Sequence, residues 1–183
     1  MSLHVTVGCM FAGKSTKALN IIRKYKAINK NVLIINHKLN TRNNPNEIFT
    51  HDSFSAECSC ESEKELMTIV NTDKFKESDI IIIEEAQFFE DLYAFCKYVV
   101  DELCKTVYVF GLDGDANRNP FGEMCSLCPI ANTFEKISAW CQFCKDGTPA
   151  SFTLCHATLP DSGILIGGQA LYSPVCRKHY LQC

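Results

Sequence analysis

Gly8, Gly13, Lys14 and Ser15 stand at the spacing G-x-x-x-x-G-K-[ST], within "TVGCMFAGKSTK" at residues 6–17. Glycines let a backbone approach phosphate oxygens without a Cβ clash. Successive N–H groups and the N-terminus of a following helix then favour the negative charge. In such a loop Lys14 reaches the β- and γ-phosphates of a nucleotide and the Ser15 hydroxyl binds Mg²⁺.

A second group lies in "DIIIIEEAQFF", residues 79–89, where an apolar run ends in Glu84 and Glu85. An acid beyond the carboxyl end of a strand holds Mg²⁺ directly or through water, and a second acid accepts a proton from an attacking hydroxyl. Adjacent residues on a strand point to opposite faces, so the two carboxylates divide these tasks.

Cys141-x₂-Cys144 and Cys176-x₂-His179 form two ligand pairs suited to a closed tetrahedral Zn²⁺ site. Such a site would hold together a small region without a core of its own. Cys125-x₂-Cys128 is also a pair, and Cys155, His156 and Cys183 are substitutes for any one member. Cys58 and Cys60 read as plain thiols. In "LDGDANRNPFG", residues 112–122, Arg118 is a phosphate candidate and Phe121 an aromatic wall, although such a phenylalanine is more often core. Arg42, in "NTR", is a loop arginine of the kind that is ordinarily solvated.

The elements that must position these groups follow from periodicity. Leu3 to Val7 reads as a buried strand ended by Gly8, and Lys14 to about Asn29 as a helix with Ala18, Ile21, Ile22, Tyr25 and Ile28 on one stripe. Val32 to Asn36 is a strand, and residues 37–61 read as polar and irregular. Ser62 and Glu65 form a capping box for a short helix carrying Leu66, Ile69 and Val70. Ile80 to Ile83 and Val107 to Leu112 are strands, separated by a helix marked by Leu92, Phe95, Cys96, Val99 and Leu103. Strands alternating with helices predict an α/β fold with a parallel sheet. Helical periodicity ends near residue 138, which predicts domains at 1–138 and 139–183.

The bulk composition limits the function class. The chain has 183 residues, is 46% hydrophobic and 21% charged, and carries a net charge of −3. A general electrostatic grip on nucleic acid is not expected. No apolar run has membrane-spanning length, and "MSLHVTVG" lacks the features of a secretory signal, so a cytoplasmic protein is expected. Twelve cysteines in that setting point to metal binding rather than disulfides, with the remaining thiols as small buried hydrophobes.

Taken in order, these stretches resemble the type II thymidine kinase family of animals, bacteria and large DNA viruses. "GCMFAGKST", "NTR" at 40–42, "EEAQFF", "LDG" with "R.PFG" at 112–122, "CQFC" and "IGGQALYSPVCRKH" at 166–179 carry the likeness over nearly the whole chain. The resemblance implies a P-loop (RecA-like) α/β domain, and a small C-terminal zinc-binding domain with a lasso loop over the substrate. It implies transfer of the γ-phosphoryl of ATP to the 5′-hydroxyl of thymidine, with Mg²⁺ and a structural Zn²⁺.

By the same resemblance Glu85 is the general base, and Lys14 and Arg42 stabilise charge on the transferring phosphoryl group. Gly8, Cys9, Met10, Phe11, Ala12, Gly13, Lys14, Ser15 and Thr16 bind the donor triphosphate, with Glu84 and Gln87 on the ATP and Mg²⁺ side. Phe88, Leu112 and Phe121 wall the nucleoside, with Met10, Arg118 and Thr153 at the same site. Leu165, Ile166, Gly167, Gly168, Gln169 and Tyr172 belong to the lasso, whose main chain bonds the base. Cys141, Cys144, Cys176 and His179 hold zinc. A cytoplasmic homotetramer inhibited by thymidine triphosphate (dTTP) is also implied.

The chain departs from the family pattern at several places. Glu84 replaces an aspartate, Asn40 an acid, Ala116 an aromatic residue and His179 a cysteine. Cys125 and Cys128 fall where apolar residues are usual, which predicts core thiols. Two other functions fit the loop: an ATPase whose zinc module binds nucleic acid, and a nucleotide-binding regulator without catalysis. The first predicts a basic zinc region, yet residues 139–183 hold little positive charge beyond Lys145, Arg177 and Lys178. The second predicts that Glu85→Gln leaves function intact.

Overall fold

The computed structural model describes residues 1–37, 47–49, 55–57, 60–62, 64–158, 165, 167–168 and 170–182, with 47–49, 55–57 and 60–62 described in backbone alone. In chain order the elements are β1 (Ser2–Gly8), α1 (Lys14–Ala27), β2 (Val32–His37), β3 (Glu47–Phe49), β4 (Ser55–Glu57), β5 (Cys60–Ser62), α2 (Asp73–Glu77), β6 (Ile80–Ile83), α3 (Leu92–Asp101) and β7 (Thr106–Gly111). There follow β8 (Thr133–Ile137), β9 (Ala139–Trp140), β10 (Pro149–Ala150), β11 (Phe152–Cys155), β12 (Tyr172–Val175) and α4 (Arg177–Leu181). Three 3₁₀ segments, Leu66–Ile69, Ala86–Phe88 and Met124–Ile130, connect them.

Six strands form one parallel sheet in the order β5-β2-β6-β7-β1-β8. Because all run the same way, the chain leaves every strand at one edge, where ligands of open α/β sheets bind. The four isoleucines of β6 show how the sheet is covered. Ile80 and Ile82 pack with Ala18, Leu19 and Ile22 of α1, while Ile81 and Ile83 pack in the opposite layer with Phe75, Phe95, Val99 and Leu127. A strand buried on both faces carries a continuous apolar run, which is what the sequence displays.

The remaining strands form a smaller region. β9 and β10 pair antiparallel, as do β11 and β12, and β3 and β4 form a separate two-stranded ribbon. Cys141, Ala150 and Val175 are buried together, with Phe152, Leu154 and Tyr180 packed around them. So small a cluster stabilises little by burial alone.

Several expectations need correction. The stretch 37–61 is not wholly irregular: β5 within it extends the sheet beside β2. β8, where only Phe134 and Ile137 are apolar, extends the other edge beside β1. The stripe on α1 stops short of Ile28, which is 63% exposed, because the helix ends at Ala27 and Asn29 turns into the left-handed region at φ 57°. Leu19 is buried in its place. The predicted capping box does not form. Ser62 belongs to β5, and the N–H groups of Leu66 and Met67 donate instead to the two carboxylate oxygens of Asp91, each at 2.8 Å. Cys125 and Cys128 are exposed, not core, because Met124 and Leu127 occupy the buried side of their 3₁₀ segment.

Candidate active site

The phosphate loop connects β1 to α1, as its chemistry requires. Gly8 is needed for close approach: a Cβ there would lie 2.3 Å from the Ile137 carbonyl oxygen of neighbouring β8. Gly13 caps α1 at φ 87°, a conformation that side chains disfavour. The loop is anchored from the C-terminal region. The Cys9 thiol donates to the Ala150 carbonyl at 3.3 Å, and the Met10 N–H donates to the Thr153 hydroxyl at 3.0 Å. Burial raises the Cys9 pKa, so this thiol is an inert packing group.

The Lys14 ammonium folds back onto its own loop, donating to the carbonyls of Gly8 at 2.9 Å and Cys9 at 2.8 Å. Burial lowers its pKa, and the surrounding acids act against that, Glu85 most strongly.

Glu84 continues the side of β6 that faces α1. It is buried, and Ser15 Oγ donates to its Oε2 at 3.3 Å. Burial, and after it the adjacent Glu85 charge, push its carboxyl up to about 8 against the opposing pull of Lys14 and Ser15. Its Oε1 has no hydrogen-bond partner among the described residues. A buried carboxylate oxygen left in this way, beside the hydroxyl of the phosphate loop, fits a hard cation with oxygen ligands. Glu84 and Ser15 are thus the residues that suit Mg²⁺.

At Glu85 the backbone turns left-handed, φ 50°. Gln87 Nε2 donates to Glu85 Oε2 at 2.6 Å, and Gln87 Oε1 accepts from the Leu112 N–H at 3.0 Å. One buried amide therefore ties the acid to the end of β7. Phe121 meets Phe88 edge-on with ring centroids 5.4 Å apart, and His37 approaches Phe88 at 5.3 Å. The two phenylalanine rings make an apolar wall close to Glu85.

In the C-terminal region the donor atoms of Cys141, Cys144, Cys176 and His179 all lie within 4.8 Å of one another. A tetrahedral Zn²⁺ with the usual bond lengths needs S···S of about 3.8 Å and S···N of about 3.5 Å. Cys144 and Cys176 Sγ are 3.8 Å apart, and His179 Nδ1 is 3.4 Å from each of the three sulfurs. Cys176 and His179 come together because they are three residues apart at the start of α4. The four residues fit zinc, and the rival ligands Cys125, Cys128, Cys155 and His156 are not part of the group.

A family model described as thymidine kinase matches residues 1–180. The chain belongs to the thymidine kinase family. "Thymidine kinase a" of Arabidopsis thaliana is 39% identical over 183 residues, covering 98% of this chain and 75% of the relative. A protein named "Thymidine kinase" from Choristoneura fumiferana entomopoxvirus is 36% identical over 184 residues, covering 98% of this chain and 96% of the relative. Another of that name, from Bacteroides thetaiotaomicron, is 33% identical over 183 residues, with 98% and 87% covered.

In this thymidine kinase family member the structure brings together Lys14, Ser15, Glu84, Glu85 and Gln87, and separately Phe88 and Phe121. Met10 is buried and its backbone joins Thr153. In the expected lasso, the Tyr172 hydroxyl donates to the Leu165 carbonyl, and Leu171 N–H donates to Gly168 at 3.0 Å. A Cβ on Gly167 would collide with Leu171. Arg42, Asn40, Ile166 and Gln169 lie outside the described residues, as do Cys58 and Cys183. The Arg118 guanidinium stacks 4.4 Å from the centroid of the Tyr180 ring. Tyr180 and Asp113 were not singled out by the sequence. Asp113 pairs with Lys136 of β8 and acts on both Lys14 and Cys9. The signal for it was available, since it follows directly on a strand of the sheet.

Proposed function

We propose that this protein is an ATP-dependent kinase that transfers the γ-phosphoryl group of ATP to the 5′-hydroxyl of thymidine. The observation that carries the reading is the Glu85–Gln87–Leu112 linkage, which fixes a carboxylate beside Lys14 and next to the Phe88–Phe121 wall. That is the arrangement an alcohol acceptor and a triphosphate donor require.

Glu85 accepts the proton of the 5′-hydroxyl as its oxygen attacks the γ-phosphorus. The bond from the γ-phosphorus to the bridging oxygen breaks and ADP departs. Lys14 releases the Gly8 and Cys9 carbonyls and turns to the phosphates, where its charge stabilises the transferring group. Arg42 supplies a second positive charge there. Glu84 and Ser15 would hold Mg²⁺, which when bound would neutralise charge on the donor phosphates. Phe88, Leu112 and Phe121 exclude water from the nucleoside, and the main chain of Leu165 to Tyr172 bonds the base. Polar backbone groups that a wrong base would leave unpaired discriminate strongly.

The same reading assigns nucleotide binding to residues 1–138 and zinc binding with the lasso to residues 139–183, with Zn²⁺ on Cys141, Cys144, Cys176 and His179. It places the enzyme in the cytoplasm as a homotetramer inhibited by dTTP. No helix among the described residues is long and apolar enough to cross a membrane. Light scattering on a sizing column measures the assembly, and inhibition by dTTP is measured in the same assay as activity.

The test is incubation of the purified protein with ATP, Mg²⁺ and each of thymidine, deoxyuridine, deoxycytidine and deoxyguanosine. Thymidine monophosphate is the expected product, lost in Glu85→Gln. ADP release without a phosphorylated nucleoside would overturn the reading in favour of an ATPase.

A further inference from the structure

The loop between β7 and the 3₁₀ segment Met124–Ile130 is held at both ends. Asp113 pairs with Lys136, and Phe121 meets Phe88. Between those ends its shape comes from its own bonds. The Asp115 carboxylate accepts from the N–H groups of Asn117 at 2.9 Å and Asn119 at 2.8 Å, and Gly114 bridges to Pro120. Phe121 N–H donates back to the Asp113 carbonyl at 3.2 Å. These bonds make the 113–121 loop one stiff unit, so a force on its tip is transmitted to Phe121.

The tip is gripped from α4. The Tyr180 hydroxyl donates to the Ala116 carbonyl at 2.7 Å across 64 positions of sequence. The Arg118 guanidinium lies on the same tyrosine ring, and Phe152 of β11 packs against that ring with centroids 5.6 Å apart. Arg118 holds a left-handed backbone, φ 65°, unusual for a residue with a side chain, and the stacking on Tyr180 accompanies it. Tyr180 directly follows His179, one of the four zinc-suited ligands.

We infer that Tyr180 is a positioning residue for the nucleoside site: its hydroxyl holds the tip of the 113–121 loop, and through it the Phe121 wall, against the zinc-bearing region. The inference rests on the thymidine kinase reading for its functional consequence. The tether itself is a physical claim about two segments. Tyr180 touches no reacting atom, so it acts on substrate affinity rather than on the chemical step. Ala116 is bonded through its carbonyl, so the grip does not depend on the side chain at that position.

The variant that tests it is Tyr180→Phe, which keeps the ring, the Arg118 stack and the packing on Phe152 while removing the donor. Amide hydrogen exchange on the zinc-loaded protein should show faster exchange at residues 115–119, with residues 141–144 and zinc content unchanged. In steady-state assays the KM for thymidine should rise about three- to tenfold, the scale of one lost hydrogen bond, with kcat and the KM for ATP unmoved. Unchanged exchange at 115–119 would overturn the tether whether or not the protein phosphorylates thymidine. An equal rise in both KM values would overturn the positioning role. A wild-type protein without thymidine phosphorylation would sink the kinase reading separately, and the exchange data would still decide the tether.

Discussion

Gln87 Nε2 donates to Glu85 Oε2 across 2.6 Å while its Oε1 takes the Leu112 N–H, so the orientation of the acid depends on a neutral neighbour. Glu85 also sits at φ 50°, where its backbone needs support from its surroundings. Glu85→Gln should lower kcat by about 10²- to 10⁴-fold, the usual contribution of a general base. Gln87→Ala keeps the carboxylate but removes this bond to it, and should lower kcat by roughly 10- to 100-fold with little change in the KM for ATP. Steady-state kinetics on both variants check this. A Gln87→Ala enzyme with full kcat would show that Glu85 needs no such support.

Glu84 makes the metal-free protein sensitive to pH. Its carboxyl has an ordinary value of 4.5 and is raised to about 8 by burial and by Glu85. Between those values the folded state binds more protons than the unfolded state, so stability falls as pH rises from about 4.5 to about 8. Glu84→Gln removes this ionisation. Its stability relative to wild type should therefore increase on going from pH 5 to pH 8 in metal-free buffer, measured by urea unfolding. Mg²⁺ requires the carboxylate, so binding of the Mg²⁺ complex of ATP near pH 7 should release a proton, visible by calorimetry in buffers of different ionisation enthalpy. A wild-type stability profile parallel to that of Glu84→Gln would remove the buried acid from this account.

The parts legible in the sequence were those with their own local signature. The phosphate loop, the four isoleucines of β6 and the helix from Leu92 could be read because glycine spacing, a doubly buried strand and a 3.6-residue period are each encoded within a short stretch. The zinc tetrad was legible as two pairs, but the choice over Cys125 and Cys128 needed the fold. What escaped depends on distant partners. Asp91 caps the segment at Leu66 from 25 positions away, β8 joins the sheet through β1, and Tyr180 finds Ala116 across the two regions. Nothing near Arg118 in sequence announces the tyrosine ring on which it stacks.

Thr153 links the C-terminal region to the phosphate loop through the buried Met10 N–H. Thr153→Val preserves shape and deletes the acceptor, leaving that N–H without its bond. The cost should be about 1–3 kcal/mol of stability, and Thr153→Ser should recover most of it. Denaturant unfolding of the zinc-loaded proteins measures both. If Thr153→Val were as stable as wild type, the loop would have to draw its support from elsewhere, for instance from the Cys9–Ala150 bond.

The zinc-suited tetrad takes the place of a core in a region where Cys141, Ala150 and Val175 are the buried apolar centre. Cys144→Ser should lose zinc, whereas Cys155→Ser should keep it, because Cys155 lies outside the group of donor atoms. The sole tryptophan of the chain, Trp140, adjoins Cys141 and reports on this region. Removing zinc with a chelator should lower the fluorescence anisotropy of Trp140 as the region loosens. Residues 1–37 and 64–137 hold five of the six strands of the large sheet and its two buried layers, and should keep their far-ultraviolet circular dichroism. Metal analysis by colorimetric release reads the ligand set directly. Full zinc occupancy in Cys144→Ser, or loss of zinc in Cys155→Ser, would reject the tetrad of Cys141, Cys144, Cys176 and His179.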